Sequence, residues 1–209
     1  MNILIFGASG ATGHQLVTQA LEQRHQVTAF VRNPAKFTLS HKRLRVIQGN
    51  INECESVEQA VEGHDAVLSA LGANSPFTFD QALVDGLSTI INAMESARMN
   101  RLIYLSFVGV NQSRRDAGLL IRHVAPKLLR TEIAGHEARE SIIRQCRLNW
   151  IIVRAPMLTN GPLTKTYRSG ENLRSSSFAV RLSRADTADF MLTQLTDTRF
   201  VGKAVCIMP

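Results

Sequence analysis

Apolar positions fall into two rhythms along the chain. Residues 2–6, "NILIF", are nearly continuous, as in a strand covered on both faces. From Thr12 the spacing lengthens, and Leu16, Val17, Ala20 and Leu21 share one helical face. The alternation then repeats. Strands are expected at 26–32, 44–49, 65–72, 101–110, 149–156 and 203–208. Helices are expected at 54–63, ending on Gly63, at 79–99, through much of 117–146 and at 184–197. Pro126 is expected to kink or divide the third of these. Strands alternating with helices imply βαβ units and a parallel sheet covered on both sides. Neither an internal repeat nor a low-complexity linker interrupts the pattern, so residues 1–209 read as one α/β domain. The weakest stretch, 157–183, is rich in Ser, Thr, Gly and Asn. It is expected to fold over the carboxyl edge of the sheet as a substrate-side loop region.

The first strand-to-helix junction reads "FGASGATG", with Gly7, Gly10 and Gly13 spaced G-x-x-G-x-x-G. A strand, three glycines and a helix form a dinucleotide-binding turn. One glycine allows the tight turn, the next lets backbone approach a pyrophosphate, and the third lets helix and strand pack closely. The helix start presents free N–H groups and the positive end of its dipole. Ala11 completes the turn, and Ser9 and Thr12 can add hydroxyl donors. These features predict a Rossmann-type, doubly wound parallel sheet flanked by helices.

The second strand selects the nucleotide. An NAD site usually ends this strand on an acid that accepts from the ribose 2′-hydroxyl. Here the strand ends "FVRNPAK", and Arg32 stands 19 residues after Gly13. A guanidinium grips a 2′-phosphate and stacks on adenine, and Lys36 adds a second charge. The expected cofactor is NADP(H).

Composition changes this picture little. The chain has 24 Lys and Arg against 17 Asp and Glu, a formal charge of +7. Basic residues recur at 42–45, 114–115 and 122–130. They form no dense tract and accompany no zinc-finger spacing or RNA-binding aromatic signature, so nucleic-acid binding is not expected. No apolar run approaches the roughly 20 residues of a membrane-spanning helix, and a membrane partner is not expected. The start "MNILIFGASG" enters a strand at once, so no signal peptide is read. Cys54, Cys146 and Cys206 are odd in number and widely spaced, against a zinc site or a disulfide framework. A reducing cytoplasmic setting is expected, and no metal.

"GASGATG" with "FVRNP" resembles the atypical short-chain dehydrogenase/reductases of the NmrA-like group, over almost the whole chain. "VIQGNI" stands where the group has a Gly-Asp turn against adenine, with Asn50 in place of the aspartate and Ile51 after it. "SALGA" resembles the loop under the cofactor ribose and implies contacts from Leu71 and Gly72. "YLSFVGV" resembles the strand whose serine, here Ser106, faces the nicotinamide. "NWIIVRAP" resembles the strand that ends on a cofactor-contacting proline, here Pro156. "SRADTADFML" resembles a late helix that the region around Asp186 caps and positions. Within the group, "RAPMLTNGPLTKTY" is most similar to the biliverdin-IXβ or flavin reductase branch.

The usual Tyr-x-x-x-Lys pair is absent. The matching helix position reads "EIAGH", with Glu132 at the tyrosine place and His136 at the lysine place. The flavin-reductase-like members also lack the pair, and by resemblance they reduce flavins, quinones or tetrapyrroles. A second site histidine of that type is Met157 here. Ser106 and His136 are therefore the candidate catalytic residues, one as the polar contact and the other as a proton donor. Phe107, Met157 and Leu158 are the candidate apolar wall for a flat substrate. The expected function is NADPH-dependent hydride transfer to a flavin, quinone or similar small-molecule acceptor. The alternative implied by the resemblance is a redox-sensing regulator that binds NADP without turnover and acts through a protein partner. A third is a reductase or isomerase acting on a small carbonyl, with Glu132 as base.

Overall fold

Chain order, from a computed structural model, is β1 (Asn2–Phe6), α1 (Ala11–Glu22), β2 (Gln26–Val31), β3 (Leu44–Gln48), α2 (Cys54–Val61), β4 (Ala66–Ser69), α3 (Gln81–Ser96) and β5 (Arg101–Phe107). There follow α4 (Ala125–Leu128), α5 (Arg130–Gln145), β6 (Asn149–Ala155), β7 (Met157–Thr159), β8 (Arg168–Gly170), β9 (Arg181–Ser183), α6 (Arg184–Thr193) and β10 (Lys203–Met208). The structure describes residues 1–73, 75, 77–115, 118–175 and 177–209, with the backbone alone at Arg115, Ile121, Ala125 and Pro126.

The continuous apolar strands are explained by burial on both faces. In β1, Ile3 and Ile5 enter one core with α1 and α6, while Leu4 and Phe6 enter a second core with α2, α3 and α5. The main sheet runs β3-β2-β1-β4-β5-β6-β10-β8. All neighbours are parallel except β10 and β8. The order reverses between β1 and β4, and doubly wound sheets bind ligands at the carboxyl ends of the strands beside such a reversal. Among the described residues, no helix is long and apolar enough to cross a membrane.

Several boundaries differ from the sequence pattern. The strand expected at 65–72 stops at Ser69, because the chain beyond bends over the first glycine turn. The strand expected at 101–110 stops at Phe107, and the helix expected to reach 197 ends at Thr193. The helix expected over 117–146 is three pieces: a π-helical turn at Leu120–Val124, then α4, then α5. Its expected start at 117 lies outside the described residues. Pro126 takes the second position of α4, directly after the π-helical turn.

The stretch 157–183 is more ordered than its composition suggests. β7 pairs with β9 in parallel, and β8 closes the edge of the main sheet against β10. In the expected region, Ser183 caps α6, accepting from the Asp186 N–H at 2.9 Å. Asp186 also ties down residues 164 and 165. Its carboxylate accepts from Thr164 N and Lys165 N at 2.8 Å each, from Thr164 Oγ1 at 3.0 Å and from Ser183 Oγ at 2.7 Å. Burial pushes this carboxyl up, but these hydrogen bonds hold it below its ordinary range. Asp186→Ala should lower stability by about 2 kcal/mol and Tm by about 4–8 °C. The same variant should expose the 161–168 segment to limited proteolysis. An unchanged Tm and digestion pattern would mean that the clamp is dispensable.

Candidate active site

Glycine is required at two points of the first turn. Gly7 has a φ of +76°, and a Cβ there would meet the Ala70 carbonyl at 2.6 Å. A Cβ on Gly13 would lie 2.0 Å from the Gly7 carbonyl oxygen, so only glycine lets α1 pack this close to the turn. Gly10 caps α1 without a side chain, and the first intrahelical bond runs from His14 N to Gly10 O at 2.8 Å. The N–H groups of Ala11, Thr12 and Gly13 precede that bond and remain for an anion.

Two cavities flank this helix start. One, of about 350 Å³, is lined by Gly7, Ser9, Gly10, Arg32, Asn50, Ile51, Leu71 and Gly72, among others. The second, of about 670 Å³, is lined by Gly10, Ala11, Thr12, Leu71, Gly72, Ser106, Phe107, Glu132, His136, Pro156, Met157 and Leu158, among others. They share Gly10, Ala70, Leu71 and Gly72, so they form one groove across the carboxyl ends of β1, β4, β5 and β6. Two expected cofactor residues lie outside it. Gly13 packs behind the turn. Lys36 is exposed on the short 3-10 turn after β2 and lines neither cavity. Asn50 lines the first cavity, with Oδ1 accepting from Asn52 N at 3.2 Å. Asp80, the carboxylate lining that cavity, caps α3 through Leu83 N at 3.2 Å.

The second cavity gathers Ser106, Glu132 and His136. Ser106 on β5 and Arg154 on β6 are paired in register and face α5. Ser106 Oγ donates to Glu140 Oε1 at 2.8 Å and lies 3.5 Å from His136 Nδ1. His136 Nε2 lies 3.1 Å from Glu132 Oε1. Glu132, His136 and Glu140 recur every four residues and so share one face of α5. Burial lowers the His136 pKa more than the hydrogen bond to Glu132 raises it, so the imidazole is neutral at neutral pH. That same hydrogen bond holds Glu132 below its ordinary range, against the effect of burial. Phe107 lies with its ring 6.5 Å from that of His136.

Beneath this layer is an ion pair that sequence reasoning missed. Arg154 donates to Glu140 twice, from Nε at 2.9 Å and from Nη2 at 2.6 Å. Asn111 Nδ2 and Arg144 Nη2 add longer bonds at 3.3 and 3.4 Å. Both partners of the pair are buried. Burial alone would favour a neutral acid, but the bonds and charge of Arg154 outweigh it and lower the Glu140 pKa. The available signal was an arginine inside "WIIVRAP", because a charge in a doubly covered strand needs a partner.

Neither tyrosine lines the groove. Tyr104 is buried in the sheet core, which pushes its hydroxyl up to about 12. Tyr167 donates to Asp189 at 2.7 Å.

A glycine turn, an open helix start and a groove with polar residues at its far end suit a dinucleotide. Residues 7–198 match the family described as NAD(P)H-binding. The chain belongs to that family. Curated relatives include the photosystem II assembly factor Ycf39 of Synechocystis, 31% identical over 62% of this chain and 40% of its own length. A 3-beta-hydroxysteroid dehydrogenase of Mycolicibacterium neoaurum is 29% identical over 54% of this chain and 34% of its own. The chain thus spans about two fifths of the first of these relatives and about a third of the second. Among solved structures, the oxidoreductase ylbE of Lactococcus lactis shares the fold with a TM-score of 0.83 and 18% identity, over 99% of this chain and 90% of its own. A short-chain dehydrogenase/reductase of Veillonella parvula in complex with NADP superposes with a TM-score of 0.80 at 21% identity, over 99% of this chain and 93% of its own.

Proposed function

We propose that the protein is an NADPH-dependent reductase that passes hydride to a flat conjugated acceptor, a flavin or quinone. One observation carries the reading. The cofactor groove ends in a cavity with an apolar wall of Phe107, Pro156, Met157 and Leu158, and no tyrosine lines it to protonate an alcohol or ketone oxygen. When bound, the reduced nicotinamide supplies the hydride. The chain's part is to bind and orient: the apolar wall stacks the acceptor, and Ser106 and His136 form the polar edge against it. The resemblance to the flavin reductase branch supports the same acceptor class. Arg32, at the opposite end of the groove, supports NADP(H) over NAD(H) by pairing with a 2′-phosphate.

Ser106→Ala should lower kcat about tenfold, the worth of one orienting hydrogen bond. NADPH affinity should stay within about twofold, because the serine is at the acceptor end. Unchanged turnover would make Ser106 a structural residue only. The second reading, cofactor binding without turnover and with a protein partner, is favoured by the name "assembly factor" on the Ycf39 relatives. It predicts tight NADP(H) binding with no oxidation in the presence of any acceptor.

A further inference from the structure

Hydrogen-bond polarity at the acceptor end of the groove is set by groups that lie mostly outside it. Ser106 has one hydroxyl proton and two acceptors in reach: Glu140 Oε1 at 2.8 Å and His136 Nδ1 at 3.5 Å. Glu140 is a buried carboxylate held ionised by Arg154, with Arg144 as a further cation. A short bond to an ionised carboxylate is stronger than a long one to a neutral imidazole, so the proton points away from the groove. Ser106 Oγ therefore meets the groove with lone pairs.

His136 reaches the same state from its other side. Its Nε2 faces the Glu132 carboxylate at 3.1 Å, and a carboxylate needs a proton on that nitrogen. In the neutral ring Nδ1 then has a lone pair. The 3.5 Å between Nδ1 and Ser106 Oγ agrees with two acceptors that share no proton. The charged groups around the imidazole are Glu132, Glu140 and Arg139 of α5, and Arg154 of β6 reaches it through Glu140. Arg184 also lines the cavity, but it comes from α6 and donates to Asn160 Oδ1 at 2.7 Å.

We infer that the Ser106–His136 pair is a hydrogen-bond acceptor site that selects flat substrates presenting an N–H or O–H at this edge. The imide or lactam N–H of a fused heteroaromatic ring meets that requirement. A quinone, which presents only carbonyl oxygens, forgoes this contact and should be reduced with a higher KM. This selection rests on the reductase reading for its kinetic consequence, whereas the proton positions do not.

The first test is ¹⁵N NMR of His136 in the cofactor-free protein. The expected spectrum is a neutral imidazole protonated on Nε2. A proton on Nδ1 would overturn the inference and leave the reductase reading intact. The second test compares lumiflavin with 3-methyllumiflavin, which lacks the imide N–H, and with menadione, all under NADPH. Lumiflavin should show a KM about tenfold below that of its methylated analogue, and Ser106→Ala should narrow the gap to less than about threefold. Equal KM values in the unmodified protein would overturn the selection. If no acceptor is reduced, the reductase reading fails. Fluorescence quenching of the two flavins on the NADP⁺-loaded protein then decides the inference, with the same tenfold preference in support and equal affinities against it.

Discussion

Glu140→Ala is expected to destabilise the protein by about 3–5 kcal/mol, because it leaves the Arg154 guanidinium buried without its counter-charge. In a chain of this length that lowers Tm by about 6–20 °C. Thermal and urea denaturation measure it directly. The double replacement Glu140→Met, Arg154→Met removes both charges together, and much of the loss should return. The double variant should nonetheless turn over poorly, because Ser106 loses the carboxylate that fixes its hydroxyl. A single-variant loss under about 1 kcal/mol would mean that water or another group compensates the arginine. The ion pair also gives stability a pH dependence of known sign. The folded pKa of Glu140 is lowered. Its contribution is therefore fully present above the ordinary carboxylate range of about 4 and fades as pH falls through the lowered folded value. Glu140→Gln should flatten that acid limb.

Arg32→Asp is the second large effect. Charge reversal at the end of β2 replaces an attraction for the 2′-phosphate with a repulsion. The Kd for NADPH should rise about 100-fold, a change of about 2.7 kcal/mol. The Kd for NADH, which lacks that phosphate, should change by less than about threefold. The new aspartate can accept from the ribose 2′-hydroxyl, as acids do at this place in NAD sites. Isothermal titration with both nucleotides separates the outcomes. Equal losses would remove Arg32 from the 2′-phosphate site.

The legible and illegible parts of the chain divide on physical grounds. β1 and the helix after it were plain in the sequence. Continuous apolar residues mean cover on both faces, and Gly7 and Gly13 sit where any side chain would strike backbone. The position of Ser106 near the carboxyl end of β5 also followed from the order of elements, whereas its facing the groove was implied by the resemblance of "YLSFVGV". β7, β8 and β9 were not legible. Each has three residues, and their partners lie up to 40 positions away in sequence. No local rhythm encodes such pairings. The break at Leu129 was legible only as a disturbance near Pro126, since the helix divides three residues later. Glu140 was visible as a neighbour of His136 on one helix face. Its bond to Arg154 needed the β5–β6 register, which places that arginine beside Ser106. The second role of Asp186 was hidden for a related reason. A capping pattern at a helix start is local, whereas its bonds to Thr164 and Lys165 span more than twenty residues.

The most direct measurement of the central claim is the loss of NADPH absorbance by the purified protein with lumiflavin and with menadione, repeated with NADH. Oxidation that requires both protein and acceptor, and that is faster with NADPH, is the predicted result. Tight NADPH binding without oxidation by either acceptor would contradict it.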